Sequence, residues 1–120
     1  MLQLVALMLL PQQALQPVAH GVASYYTVSS CGETTASGEP LDDSLFTCAM
    51  PKGEFGTYCL VVADNGRSVV CKLNDRGPFV KNRVIDLSEA AMRQLHATAG
   101  TLRVKVYRLD LNSFARSRTS

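Results

Sequence analysis

The stretch that most constrains what this chain can fold into is Lys72 to Ser88, KLNDRGPFVKNRVIDLS, a polar and turn-forming cluster that interrupts two β-rich runs. Within it, Asn74-Asp75-Arg76-Gly77-Pro78-Phe79 predicts a tight turn at the end of a strand, because Gly77 tolerates positive φ while Pro78 fixes its own φ and restricts the residue before it. Asp86 follows between Ile85 and Leu87, where a strand-like run gives way to helix. A carboxylate flanked in this way is partly desolvated, which disfavours its charged form and suits a general acid. Asp86 is therefore a first candidate for catalysis.

The runs on either side read as strands. Val22 to Val28 is rich in β-branched and aromatic residues, and its Tyr25 and Tyr26 point to opposite faces, one toward a core and the other available to stack on a sugar. Gly56 to Val62 and Ser68 to Leu73 flank Ala63-Asp64-Asn65-Gly66-Arg67, a hairpin turn signal. Arg83 to Leu87 is a further short strand. Ser88 then N-caps a helix with Glu89 in its first turn, Leu87 stapled against Met92, and Gly100 marking the end. Leu102, Val104 and Val106 alternate with Arg103 and Lys105, giving a last half-buried strand before a polar, frayed tail over residues 110–120. His96 reads as a residue of the helix terminus. Between the first strand and the hairpin, Ser29 to Asp43 is a polar loop in which Glu39 and Asp42 stand three residues apart, close enough to share a site.

The first thirty-two residues contain no Lys, Arg, Asp or Glu, and an apolar run from Leu2 to Leu10 precedes Pro11 and a small-residue region. Residues 1–20 accordingly read as a secretory leader or short N-terminal anchor, although a leader's usual positive start is missing; the run is too short for a membrane-spanning helix, which needs about 20 apolar residues. Four cysteines, Cys31, Cys48, Cys59 and Cys71, fit an exported chain with two disulfides. Cys59 and Cys71 are nearly symmetric about Asn65 and are expected to bridge the hairpin, which leaves Cys31 for Cys48; each bridge would contribute about 2 to 4 kcal/mol. No C-x-x-C occurs and only His20 and His96 remain as nitrogen ligands, so neither a metal nor any other cofactor is expected. At a net charge of +2, with basic and acidic residues interspersed, the chain has no patch that would suit nucleic acid. One domain is the expectation from 120 residues, and the leader and cysteines point to export to the periplasm, envelope or medium, as a monomer.

The succession GVASYY, TASGEPLD, FGT, NGRSVV, LNDRGPFVKNRVIDLS and a closing LRVKVYRL resembles the rare lipoprotein A (RlpA) family over about Gly21 to Leu109. The resemblance implies a mainly β fold, a small six-stranded double-psi β-barrel with one short α-helix, shared with expansins. It also implies peptidoglycan glycan strands as partner and a lytic cleavage that leaves an anhydro sugar. In such chemistry a carboxyl group protonates the glycosidic oxygen and then, as base, helps the sugar's own hydroxyl close the ring. By position, Glu39, Asp42 and Asp86 fall on acidic cleft positions, Arg76 on one that pairs a carboxylate or holds a sugar substituent, and Asp75 on a turn where it bonds backbone amides beside the substrate. Tyr26 is the stacking candidate. The chain departs from the family at Met50, where its enzymes carry a His; a thioether transfers no proton. That departure, with cysteines like those of secreted expansin-like relatives, keeps a non-catalytic wall-binding or wall-loosening module open beside the lytic enzyme.

Overall fold

The computed structural model describes residues 16–28 and 34–109. Six strands close into a barrel in the order β1-β5-β2-β4-β3-β6: β1 (Ala19–Tyr26), β2 (Thr47–Ala49), β3 (Tyr58–Ala63), β4 (Ser68–Asp75), β5 (Arg83–Ser88) and β6 (Thr101–Leu109). The β1–β5 and β2–β4 pairs are parallel and the remaining pairs antiparallel. Helix α1 (Glu89–Leu95) follows β5 directly. The expected strands are all present. β2 is an addition, since a three-residue run has too short a period to register in sequence.

Alternation builds the interior. Val61, Leu73, Ile85, Leu87 and Val106 are all but fully buried, and α1 adds Met92 and Leu95 to the same core. Burying such a side chain is worth roughly 1.5–3 kcal/mol, so these positions outweigh any single polar contact at the surface. Ser88 caps α1 as expected, its hydroxyl accepting from Ala91 N at 3.3 Å. The helix stops at Leu95, not near Gly100: His96 is extended, its N–H is spent on Met92 O, and Arg93 donates to the carbonyls of His96 and Ala99. The hairpin turn is as expected, with Gly66 at φ 88° and Arg67 N on Asn65 Oδ1 at 2.9 Å.

One boundary and one pairing differ from expectation. β1 begins at Ala19 and Val18 N already bonds Val106 O at 2.8 Å, so the barrel takes in residues assigned above to the leader; positions 1–15 lie outside the described residues, as do Cys31 and the tail from 110. The expected Cys59–Cys71 bridge is not formed in the structure. Cys59 and Cys71 do sit opposite each other on β3 and β4, yet both are free thiols, and Cys48 of β2 makes contact with each of them. The reason is the barrel's closure: β2 lies beside β4, so inward-facing Cys48 enters the same layer and the hairpin pair becomes a buried cluster of three. Among the described residues no helix is long and apolar enough to cross a membrane, and no cluster fit to hold a metal occurs.

Candidate active site

The candidate site lies on the face of the β1-β5-β2-β4 sheet turned away from the barrel core, beneath the loop that runs from residue 34 to 46. Register assembles it. Ser24, Asp86, Ala49 and Asp75 are successive partners across the four strands and form one transverse row. Tyr26, Ser88, Thr47 and Lys72 lie in line with one another in the next row. The register of β2 with β4 slips between Cys48 and Ala49, so Leu73 pairs with Cys48, Asp75 pairs with Ala49, and Asn74 is the extra residue of a β-bulge. Without that bulge, strict alternation would turn Asp75 inward. With it, Asp75 and Asp86 stand on either side of small, buried Ala49, two strand spacings or about 10 Å apart.

Asp75 Oδ1 accepts from Arg76 N and from Ala36 N, each at 2.9 Å. The second bond, with Ser37 N on Asn74 O at 3.1 Å, ties the 34–46 loop to the end of β4. These are the backbone-amide bonds expected of Asp75. Asp86 is half-buried and accepts a short hydrogen bond from the Ser24 hydroxyl. Gly77, at φ 115°, passes close by: a side-chain carbon there would come within 4.0 Å of Asp86 Oδ2. The turn thus needs glycine for its backbone.

Glu39 and Asp42 share a groove of about 390 Å³ with Lys72, Asn74, Thr47 and the exposed side chains of Leu45, Phe46 and Tyr58. Lys72 Nζ donates to Glu39 Oε2 at 2.9 Å and the Ser37 hydroxyl to Oε1 at 3.5 Å, with the Asn74 side chain lining the same groove. The Lys72 ammonium leads in holding the Glu39 carboxyl below its ordinary range, and Glu39 in turn raises Lys72. Asp42 Oδ1 caps its own turn, accepting from the Ser44 hydroxyl at 2.6 Å and Ser44 N at 2.9 Å, which lowers its carboxyl as well. Both loop carboxylates are thereby stabilised as anions.

Three of the residues named from sequence sit elsewhere than expected. Tyr26 is 4% exposed, packed with Leu41 and Ala49 and bonded through its hydroxyl to Thr47 Oγ1 at 3.0 Å, so it presents no ring face to a sugar; burial pushes its phenol well above the ordinary value. Arg76 turns away to Gly53 O at 2.6 Å and stacks its guanidinium 4.1 Å over Phe55, which ties the 53–55 loop to the turn. Met50 belongs to the barrel core at 9% exposure, and it touches the site only through its N–H on Asp75 O at 3.3 Å. Sequence reasoning passed over Lys72, Asn74, Phe46 and Tyr58. Alternation on β4 puts Lys72 on the face opposite Cys71 and Leu73 and could have found it, but nothing local to residue 74 announces a bulge.

The family profile described as lytic transglycolase matches residues 18–106. The protein named "Probable endolytic peptidoglycan transglycosylase RlpA" of Treponema pallidum is 44% identical over 100 residues, covering 82% of this chain and 31% of its own length. The endolytic peptidoglycan transglycosylase RlpA of Pseudomonas aeruginosa (strain UCBPP-PA14) is 46% identical over 92 residues, covering 75% of this chain and 27% of its own length. The chain therefore spans about a third of the length of the curated relatives it matches. Among solved structures, the apo expansin of Clavibacter michiganensis superposes with a TM-score of 0.59 at 22% identity, covering 76% of this chain and 50% of the expansin, a likeness of fold.

Proposed function

The chain belongs to the lytic transglycolase family of double-psi β-barrels, and on that premise we propose that it cleaves peptidoglycan glycan strands endolytically in the cell envelope. The observation that carries this reading is the carboxylate-lined groove beside the Asp75–Asp86 row, flanked by exposed Phe46 and Tyr58 on which a sugar ring can stack. Glu39, held as an anion, supplies the base or stabilises positive charge developing on the ring. Asp86, half-buried and steadied through one oxygen by Ser24, supplies the proton to the glycosidic oxygen. The sugar's own hydroxyl then attacks the anomeric carbon and gives its proton to a carboxylate. The product is an anhydro sugar, and no water is consumed. Asp42 serves as the anion that caps the groove's rim, and Asp75 as the turn clamp that fixes the two loops against each other.

Met50 favours a second reading, a wall-binding or wall-loosening module without turnover, because its buried thioether offers no acid or base where the family's enzymes carry an imidazole. Incubating the protein with purified peptidoglycan and analysing the soluble products by mass spectrometry separates the two. Anhydro-ended fragments, lost in Asp86→Asn and Glu39→Gln, are expected; retention on the sacculus with no soluble fragment would favour the binding module. Export fits either reading, as does a disulfide drawn from the cysteines once the chain meets an oxidising compartment.

A further inference from the structure

We infer that Lys72 and Asn74 are positioning residues, which lock Glu39 in one orientation in the groove so that it acts as the anionic partner of the reaction and never as its proton donor. The inference rests on the cleavage reading and assigns roles within it. Two observations carry it. First, the strongest contact of the Glu39 carboxylate is the Lys72 ammonium at 2.9 Å, and Lys72 is aimed there by its strand: its neighbours Cys71 and Leu73 fill the core, so the side chain between them must face the groove. Second, Asn74 lines the same groove and favours the Glu39 anion, while its Oδ1 is buried without a hydrogen-bond partner among the described residues. An orphaned buried acceptor is costly, and Asn74 shares the face of Lys72 by alternation along β4. The arrangement favours Glu39.

The charged and titratable groups around Glu39 are Lys72 from β4, Tyr58 from β3 beyond it, and Asp42 from its own loop. Only Lys72 is cationic. Both members of the pair are partly exposed, 35% for Lys72 and 44% for Glu39, so the groove stays open to a ligand while the carboxylate keeps its orientation. A sugar hydroxyl or ring carbon entering beside Phe46 would meet the Glu39 oxygen already ionised and already aimed, with no reorganisation left for the chemical step.

The test is a pair of pH titrations on wild type, Lys72→Met and Lys72→Arg. One follows the Glu39 carboxyl carbon by NMR; the other follows the rate of anhydro-muropeptide release. In Lys72→Met the Glu39 midpoint should rise, the acidic limb of the rate profile should move up with it, and release should fall about 10- to 100-fold. Lys72→Arg should restore both midpoint and limb, though less than fully at a site built for a compact ammonium. Asn74→Ala should raise the same midpoint to a lesser degree. A Glu39 midpoint that does not move in Lys72→Met, or a midpoint that moves while the acidic limb stays fixed, would overturn the inference. Absence of release from wild type would instead count against cleavage itself, and the NMR midpoint would still decide whether Lys72 and Asn74 set the state of Glu39.

Discussion

The two faces of the β1-β5-β2-β4 sheet carry opposite kinds of residue on the same strands. Inward, Cys48, Leu73, Ile85 and Leu87 sit in an apolar core with Met50 at its edge; outward, Asp75, Asp86, Ser24 and Lys72 form polar rows under a loop that adds Glu39 and Asp42. The comparison teaches that chemistry in this barrel is a matter of facing, decided residue by residue through alternation and, at one point, through a bulge. Cys48 and Ala49 are neighbours in sequence, yet one closes a thiol cluster and the other separates two aspartates. Met50 follows the inward set.

If the faces divide labour in this way, substitutions on each should have separate readouts. The largest effect is expected from Asp86→Asn, which keeps shape but cannot shuttle a proton: product release should fall by about 10²- to 10⁴-fold, roughly 3 to 5 kcal/mol of barrier, with melting little changed. Full activity in that variant would break the assignment of the outer row. Leu73→Ala, two positions from Asp75 but 1% exposed, should cost about 2 to 5 kcal/mol in chemical denaturation. A smaller loss, of about 1 to 3 kcal/mol, is expected for Met50→His, since a polar imidazole would replace a buried thioether beside Leu73 and Cys59. That variant should also gain no activity; a gain would mean that position 50 reaches the groove and that the division between faces fails there.

Subtler effects sharpen the comparison further. Cys48, Cys59 and Cys71 are at most 2% exposed, so a thiol reagent should leave them unmodified in the folded reduced protein and react only as denaturant opens the barrel. In oxidised exported material, non-reducing peptide mapping would show which of them pairs. The Lys72–Glu39 contact should give the smallest signal. Because Glu39 titrates below its ordinary value of 4.5 in the folded state, its stabilising share is present above that pH and is lost as pH falls through the lowered value. Lys72 titrates above 10.5, so its share is complete below that pH and is lost as pH rises through the raised value. Lys72→Met should therefore flatten the stability profile at both extremes, and the difference from wild type should shrink in high salt because the pair is solvent-exposed. A profile unchanged below pH 4.5 would show that Glu39 gains nothing from Lys72.

Much of this was legible in the chain. Turn chemistry at Asn65-Gly66, the positive φ of Gly77, alternation along β6, and the Ser88 cap each rest on a local rule that the fold had no reason to override. The ordered motifs supplied the barrel's topology, which local periodicity does not contain. What escaped was non-local. Cys48 joins Cys71 because β2 pairs with β4 in parallel, and a symmetry argument confined to the hairpin cannot see a third strand. Tyr26 is covered by Leu41 from a loop that its own strand gives no hint of. Asp75 faces outward only through an extra residue in the ladder, and Met50, singled out because the family's enzymes carry a His there, packs into the core instead.

The central claim, that the outward carboxylates cleave glycan strands, is tested most directly by digesting purified peptidoglycan with wild type, Glu39→Gln and Asp86→Asn side by side and resolving the soluble fragments by mass spectrometry. The account predicts fragments ending in anhydro sugars from wild type and a loss of about 10²-fold or more from each variant, all three proteins melting alike. Fragments with ordinary reducing ends, or equal yields from wild type and both variants, would contradict it.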